Sequence, residues 1–94
     1  MIFAWDPDKN ASNIRKHKIS FEVAVSVFDD PLHLSLLDRK DHDEARWITI
    51  GQAITQSTIV VVHTFITKEW HESIRIISAR YATRKEKKQY EKGI

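Results

Sequence analysis

Residues 58–65 read Thr58-Ile59-Val60-Val61-Val62-His63-Thr64-Phe65, a β-branched and aromatic run that fits a central strand. Downstream, Ile74-Arg75-Ile76-Ile77-Ser78-Ala79-Arg80 carries isoleucines at 74, 76 and 77 and predicts a second strand over 72–80. Upstream, Trp47-Ile48-Thr49-Ile50 predicts a third over 46–50, with Gly51 marking a bend or bulge. Residues 32–37 are a fourth candidate, and Asp38-Arg39-Lys40-Asp41-His42-Asp43-Glu44 reads as a solvated loop. Thr55-Gln56-Ser57 is a turn lacking the usual Asn-Gly or Gly, and a loop is expected around Thr67-Lys68-Glu69.

Outside this meander the signals are helical. Ile2 to Trp5 is a short apolar strand, followed by Asp6-Pro7, an oxygen-bearing N-cap with proline at the first helical position. That helix should run to about His17, with Ala11 and Ile14 inward and Lys9, Arg15 and Lys16 outward. Ser20 is a second N-cap, and Phe21, Ala24, Val25 and Phe28 form an amphipathic stripe that Asp29-Asp30-Pro31 ends. Thr83-Arg84-Lys85-Glu86 is a capping box opening a helix to about Tyr90, and Gly93 stops it. The order is β-α-α-β-β-β-β-α, an α+β fold of one domain over residues 1–94, with a mostly antiparallel sheet.

Composition bounds the function. Ninety-four residues make one domain-sized chain, and 41% hydrophobic content is enough for a thin core. Fifteen Lys and Arg against 13 Asp and Glu leave a net charge of +2, too small to announce nucleic-acid binding by itself. Absence of cysteine excludes a disulfide framework and Cys-ligated metal sites, and suits a reducing cytosol. The longest apolar run, Ile59 to Val62, falls far short of the about 20 residues of a membrane span, and the opening residues lack a basic signal-peptide region. A cytoplasmic domain without membrane contact is expected.

Charge is nevertheless segregated. Residues 84–92 hold five basic and two acidic side chains, and the first helix adds Lys9, Arg15, Lys16, His17 and Lys18. Such surfaces can track a phosphate backbone, or merely make soluble helix faces. Strict alternation puts Arg80, Ser78, Ile76 and Ile74 on one strand face and Arg75, Ile77 and Ala79 on the other. A guanidinium on a rigid strand can grip a phosphate bidentately, and it can equally serve a cross-strand ion pair.

His63 could act as acid or base near neutral pH, or be a hydrogen-bonded structural histidine. His42 among Asp41, Asp43 and Glu44 could hold a divalent ion weakly, although an acidic loop explains it as well. No metal site and no cofactor are expected, for no Gly-rich phosphate loop, nucleophile elbow or zinc motif is present. Trp5, Phe21, Phe28 and Trp47 fall on core positions, while Trp70 and Tyr90 are candidates for exposed aromatics.

In order along the chain, several motifs resemble the BrnT family of small bacterial toxins. They are Phe3-Ala4-Trp5-Asp6-Pro7, Asn13 with Lys16-His17, Phe21-Glu22-Val23-Ala24 and Val27-Phe28-Asp29-Asp30-Pro31. Then follow Glu44-Ala45-Arg46-Trp47-Ile48-Thr49-Ile50-Gly51, Val60-Val61-Val62-His63-Thr64, Arg75-Ile76-Ile77-Ser78-Ala79-Arg80, and Arg84, Glu86 and Tyr90. The resemblance departs at residues 52–57, where a glycine-bearing turn is usual, and at 67–72.

The resemblance implies a RelE-like fold and a metal-independent endoribonuclease that cleaves RNA and halts translation. It also implies neutralisation by a BrnA-type ribbon-helix-helix antitoxin, in an assembly of two toxins and two antitoxins that meets operator DNA only through the antitoxin. In RNA cleavage by the substrate's own 2′-hydroxyl, the protein orients the phosphate, moves protons and neutralises its oxygens. Arg80 is then the expected transition-state clamp and Arg75 a second phosphate ligand. His63 would be general acid or base, provided it shares their face, and Lys16, Arg46 and Arg84 would hold flanking phosphates. Two other readings stay open: a non-catalytic nucleic-acid- or protein-binding module, and a structural interaction domain. The last would show Arg80 paired with a carboxylate and no open basic surface.

Overall fold

In a computed structural model, which describes residues 2–41 and 44–93, the expected α+β order is present. Its elements are β1 (Ile2–Ala4), α1 (Pro7–His17), α2 (Phe21–Val25) with a 3₁₀ turn (Ser26–Asp29), β2 (Leu34–Asp41), β3 (Glu44–Gln52), β4 (Thr58–Lys68), β5 (His71–Tyr81) and α3 (Arg84–Lys92). One five-stranded sheet runs β1-β5-β4-β3-β2, antiparallel except for β1, which lies parallel to β5.

Helix starts follow the local chemistry. Asp6 accepts from the Asp8 N–H at 2.8 Å, and Ser20 from the Val23 N–H at 3.1 Å. Thr83 and Glu86 close the capping box reciprocally, at 3.2 and 2.9 Å. The amphipathic stripe over 21–28 is not one α-helix: it tightens into the 3₁₀ turn where Ser26 Oγ donates to the Val23 carbonyl at 2.5 Å.

The strands are longer than the sequence pattern predicts. Residues 38–41 belong to β2, with a bulge between Leu37 and Arg39, because pairing with residues 44–46 supplies their backbone bonds. His42 and Asp43, and with them the suggested weak ion site, lie outside the described residues. The expected loop after Phe65 likewise contracts, since Thr67 pairs with Glu72 and Lys68 with His71, and Glu69 takes a left-handed φ of 54°. At the β3–β4 turn Gln56 adopts φ 71° in place of the missing glycine, its N–H donating to the Ala53 carbonyl at 2.8 Å. Gly51 marks no bulge; it pairs regularly with Ile59, and a Cβ there would meet Val27 Cγ1 at 2.8 Å.

Helices α1 and α2 cover one face of the sheet. Phe21, Ala24, Val27 and Ile19 pack there against Ile59, Val61, Ile74, Ile76 and Ala79, with Phe3, Trp5 and Phe28 around them. The rotation of α1 differs from expectation: Ala11 is exposed and Ile14 is 42% exposed, while Asn13 turns inward at 5%. Asn13 meets the edge of β5 that β1, only three residues long, leaves bare.

Candidate functional site

A single extra residue creates the candidate site. On β5, Arg80 lies opposite Val60, Ser78 opposite Val62, Ile76 opposite His63 and Arg75 opposite Thr64. Ile77 therefore has no partner on β4, and side-chain parity reverses across it. Strict alternation separates Arg75 from Arg80; the bulge corrects this and puts both on the face away from α1 and α2. The burial agrees, because Ile74, Ile76 and Ala79 are all at most 1% exposed in the helix-covered core. Arg46, two residues before Ile48 on β3, projects on the arginine side, since Ile48 pairs with Val62. Opposite Arg46 in register stands Arg39.

Arg80 is held by Glu86 of α3. Its Nη1 and Nη2 donate to the two carboxylate oxygens at 2.7 and 2.9 Å, and Nη1 also approaches the Tyr81 carbonyl at 3.4 Å. Those hydrogen bonds from Arg80 hold the Glu86 carboxyl at about 2 against the burial that would raise it, with the Thr83 N–H helping. The carboxylate in turn pushes the Arg80 guanidinium upward, with the charge of Asp38 adding to it. The Arg80 side chain is 40% exposed and Glu86 18%, so the pair opens to solvent. A carboxylate partner is one of the two features expected of a structural arginine; on the same face Arg75 is exposed.

His63 lies elsewhere. It faces α2 and the 3₁₀ turn, 0% exposed, its ring edge-on to Phe28 and Phe65 at centroid distances of 5.1 Å each. Nε2 sits 2.7 Å from Thr49 Oγ1, itself 2.7 Å from Ser35 Oγ, so a short polar chain crosses three strands. Burial, with the nearby charge of His33, pushes the imidazole down to about 4 and keeps it neutral at physiological pH. Sharing a face with a phosphate at Arg80 was the condition on His63 as acid or base, and the fold does not meet it.

The remaining expected residues are not gathered at Arg80: Arg84 begins α3, whereas Lys16 belongs to α1, on the other side of the sheet from the two arginines. Arg84 is the exposed first residue of α3, two positions before Glu86. Lys16 stands exposed on α1 beside the bulge, where it lines a shallow recess with Lys9, Asn13, His17, Ile77 and Ser78. Trp70 is 94% exposed, as expected, but Tyr90 is not a free aromatic: its hydroxyl donates to Asp30 Oδ2 at 2.6 Å. That carboxylate also accepts from the Gln52 N–H at 2.8 Å, joining α3 to the turn after α2 and to β3. Sequence reasoning missed Glu86 as the partner of Arg80, although its i+3 position from Thr83 already fixed where its carboxylate would sit.

Comparison with known proteins adds the following. A family model described as the ribonuclease toxin BrnT of type II toxin–antitoxin systems matches residues 5–86. The structure is similar to that of the Brucella abortus ribonuclease toxin BrnT, with a TM-score of 0.58 and 23% sequence identity, covering 89% of this chain and 100% of that one. At that identity the likeness speaks for the fold, a sheet with helices in the same order. No curated protein matches. Among the described residues no helix is long and apolar enough to cross a membrane.

Proposed function

The chain belongs to the BrnT ribonuclease toxins of type II toxin–antitoxin systems, and from that premise we propose that its arginine face cleaves RNA without a metal ion and so inhibits translation. The observation that carries this reading is that the Ile77 bulge brings Arg75 and Arg80 to the same face of the sheet. Their backbone positions lie about 13 Å apart along the strand, four steps at ~3.3 Å each, a spacing from which two guanidiniums can hold successive parts of one phosphate backbone.

In this reading the substrate's 2′-hydroxyl attacks the adjacent phosphorus, and Arg80 neutralises the charge that grows on the equatorial oxygens. Arg75 takes a second phosphate, Arg46 and Arg84 grip flanking ones, and Lys16 of α1 meets only RNA that passes round the edge of β5, all as sequence-independent contacts. His63, behind the sheet, takes no direct part and serves to pack β4 against Phe28. The reaction runs in the cytoplasm and needs no cofactor. Its inhibitor is a BrnA-type antitoxin with a ribbon-helix-helix part, two copies of each chain forming the complex, and the operator DNA is met through that antitoxin.

The Arg80–Glu86 pair is the feature expected of a structural interaction domain, and the other competing reading is a module of the same fold that binds RNA or protein without cutting it. Cleavage of RNA by purified protein in excess EDTA separates the ribonuclease from both, with Arg80→Ala compared at matched circular dichroism. Cutting by the unmodified protein alone, leaving 5′-hydroxyl ends, supports the ribonuclease. If neither free RNA nor RNA in a translating extract is cut, the binding module replaces it.

A further inference from the structure

Glu86 is positioned twice over. Its Oε1 accepts from the Thr83 N–H at 2.9 Å and from Arg80 Nη1 at 2.7 Å, whereas Oε2 accepts from Arg80 Nη2 at 2.9 Å. Its own N–H donates to Thr83 Oγ1 at 3.2 Å. The helix cap alone would therefore keep the carboxylate where it is if Arg80 let go.

A phosphate presents the same pair of acceptor oxygens as a carboxylate and competes for the same guanidinium fork. Arg80 is exposed enough for that exchange, with 40% of its side chain in solvent. Once the two guanidinium hydrogens turn to the phosphate, Glu86 keeps only the Thr83 N–H and Oε2 is left without a donor, within about 3 Å of the fork. The ribose that bears the nucleophile is the one attached to that phosphate, and His63 lies on the other face of the sheet.

We propose that Glu86 is the general base of the reaction, released from Arg80 by the incoming phosphate and then accepting the proton of the 2′-hydroxyl. This rests on the ribonuclease reading above. The 2′-O–H bond breaks as its proton passes to Glu86 Oε2, and the 2′-oxygen forms its bond to phosphorus. The bond from phosphorus to the 5′-oxygen breaks, that oxygen takes a proton from water, and Glu86 later returns its proton to solvent. The products are a 2′,3′-cyclic phosphate and a 5′-hydroxyl, with no oxidant or co-substrate consumed. Loss of the Arg80 hydrogen bonds raises the carboxyl from about 2 toward its ordinary 4.5, so its proton affinity rises when substrate is bound.

The test is steady-state cleavage of a labelled RNA oligonucleotide by the full chain, comparing Glu86→Gln with the unmodified protein. Glutamine retains the capping box, because its amide oxygen accepts from the Thr83 N–H. A lost general base predicts a kcat lower by about 100-fold, with little change in KM. In Glu86→Ala, added formate should restore part of the rate, since it supplies a base but cannot rebuild a helix cap. Cleavage by Glu86→Gln at or above the normal rate would overturn the proposal and make Glu86 a plug on Arg80. A folded Glu86→Ala that formate does not rescue would overturn it too. An unmodified protein that cuts nothing, free or in a translating extract, removes the ribonuclease reading itself and the base with it.

Discussion

Asn13 of α1 completes the backbone hydrogen bonding of Ala79 on β5. Its Nδ2 donates to the Ala79 carbonyl at 2.9 Å, and the Ala79 N–H donates to its Oδ1 at 3.1 Å. Beyond the β1 pairing, which ends at Ala4 opposite Arg75, one amide side chain substitutes for a neighbouring strand two residues from the Ile77 bulge. The same Nδ2 also caps the Ile19 carbonyl at 2.9 Å.

Asn13→Ala should accordingly destabilise the fold by about 2–4 kcal/mol, because it strands buried backbone groups rather than one exposed bond. Urea denaturation checks this, with the midpoint falling and the slope unchanged. A loss within 0.5 kcal/mol would mean that water takes over the edge of β5.

Stability should depend on pH through His63. Its folded value of about 4 lies below the ordinary 6.5, so the unfolded chain binds the extra proton between those two values. The stabilising preference for neutral imidazole is complete above pH 6.5 and lost as pH falls to 4, a change of about 3 kcal/mol. His63→Leu should flatten the pH dependence of unfolding in that window. Glu86, held at about 2, contributes its own loss as pH falls from 4.5, mostly below the histidine window.

Gly51→Ala tests the close approach of β3 to the 3₁₀ turn. The added Cβ would stand 2.8 Å from Val27 Cγ1, 3.2 Å from His33 Cβ and 3.3 Å from Asp30 Oδ2. Overpacking of this kind should cost about 1–3 kcal/mol, read from the thermal midpoint.

For the arginines, bidentate geometry should matter more than charge. Arg80→Lys keeps the charge but loses the fork, so cleavage should fall on the order of 100-fold. Arg75→Ala should mainly weaken RNA binding and reduce its salt dependence by about one phosphate contact. Equal rates for Arg80→Lys and the unmodified protein would remove the clamp from the mechanism.

Local chemistry was legible in the sequence wherever neighbours in the chain decide the outcome. Asp6-Pro7, Ser20 and the Thr83–Glu86 box act within one helical turn, and each starts a helix where the residues say it should. The β-branched run over residues 58–65 belongs to the same class. Arg80 is visible in the sequence as a candidate and Glu86 as a cap and a family-motif residue; their pairing is not, because it depends on how α3 folds back toward β5.

By itself, then, the sequence determined the element order, the α+β class, the helix caps and the family to which the chain belongs. Only the tertiary structure decided which face each strand residue takes. Ile76 and Ile77 are equally apolar neighbours, and the residue that becomes the bulge is selected by the register of β5 against β4. That choice brings Arg75 to the side of Arg80, just as the bare edge of β5 turns Asn13 inward instead of Ile14 and the wall of Phe28 and Phe65 encloses His63. Side-chain parity repeats every two residues, so one unpaired residue inverts everything beyond it, and the pairing that selects that residue is between strands distant in the chain.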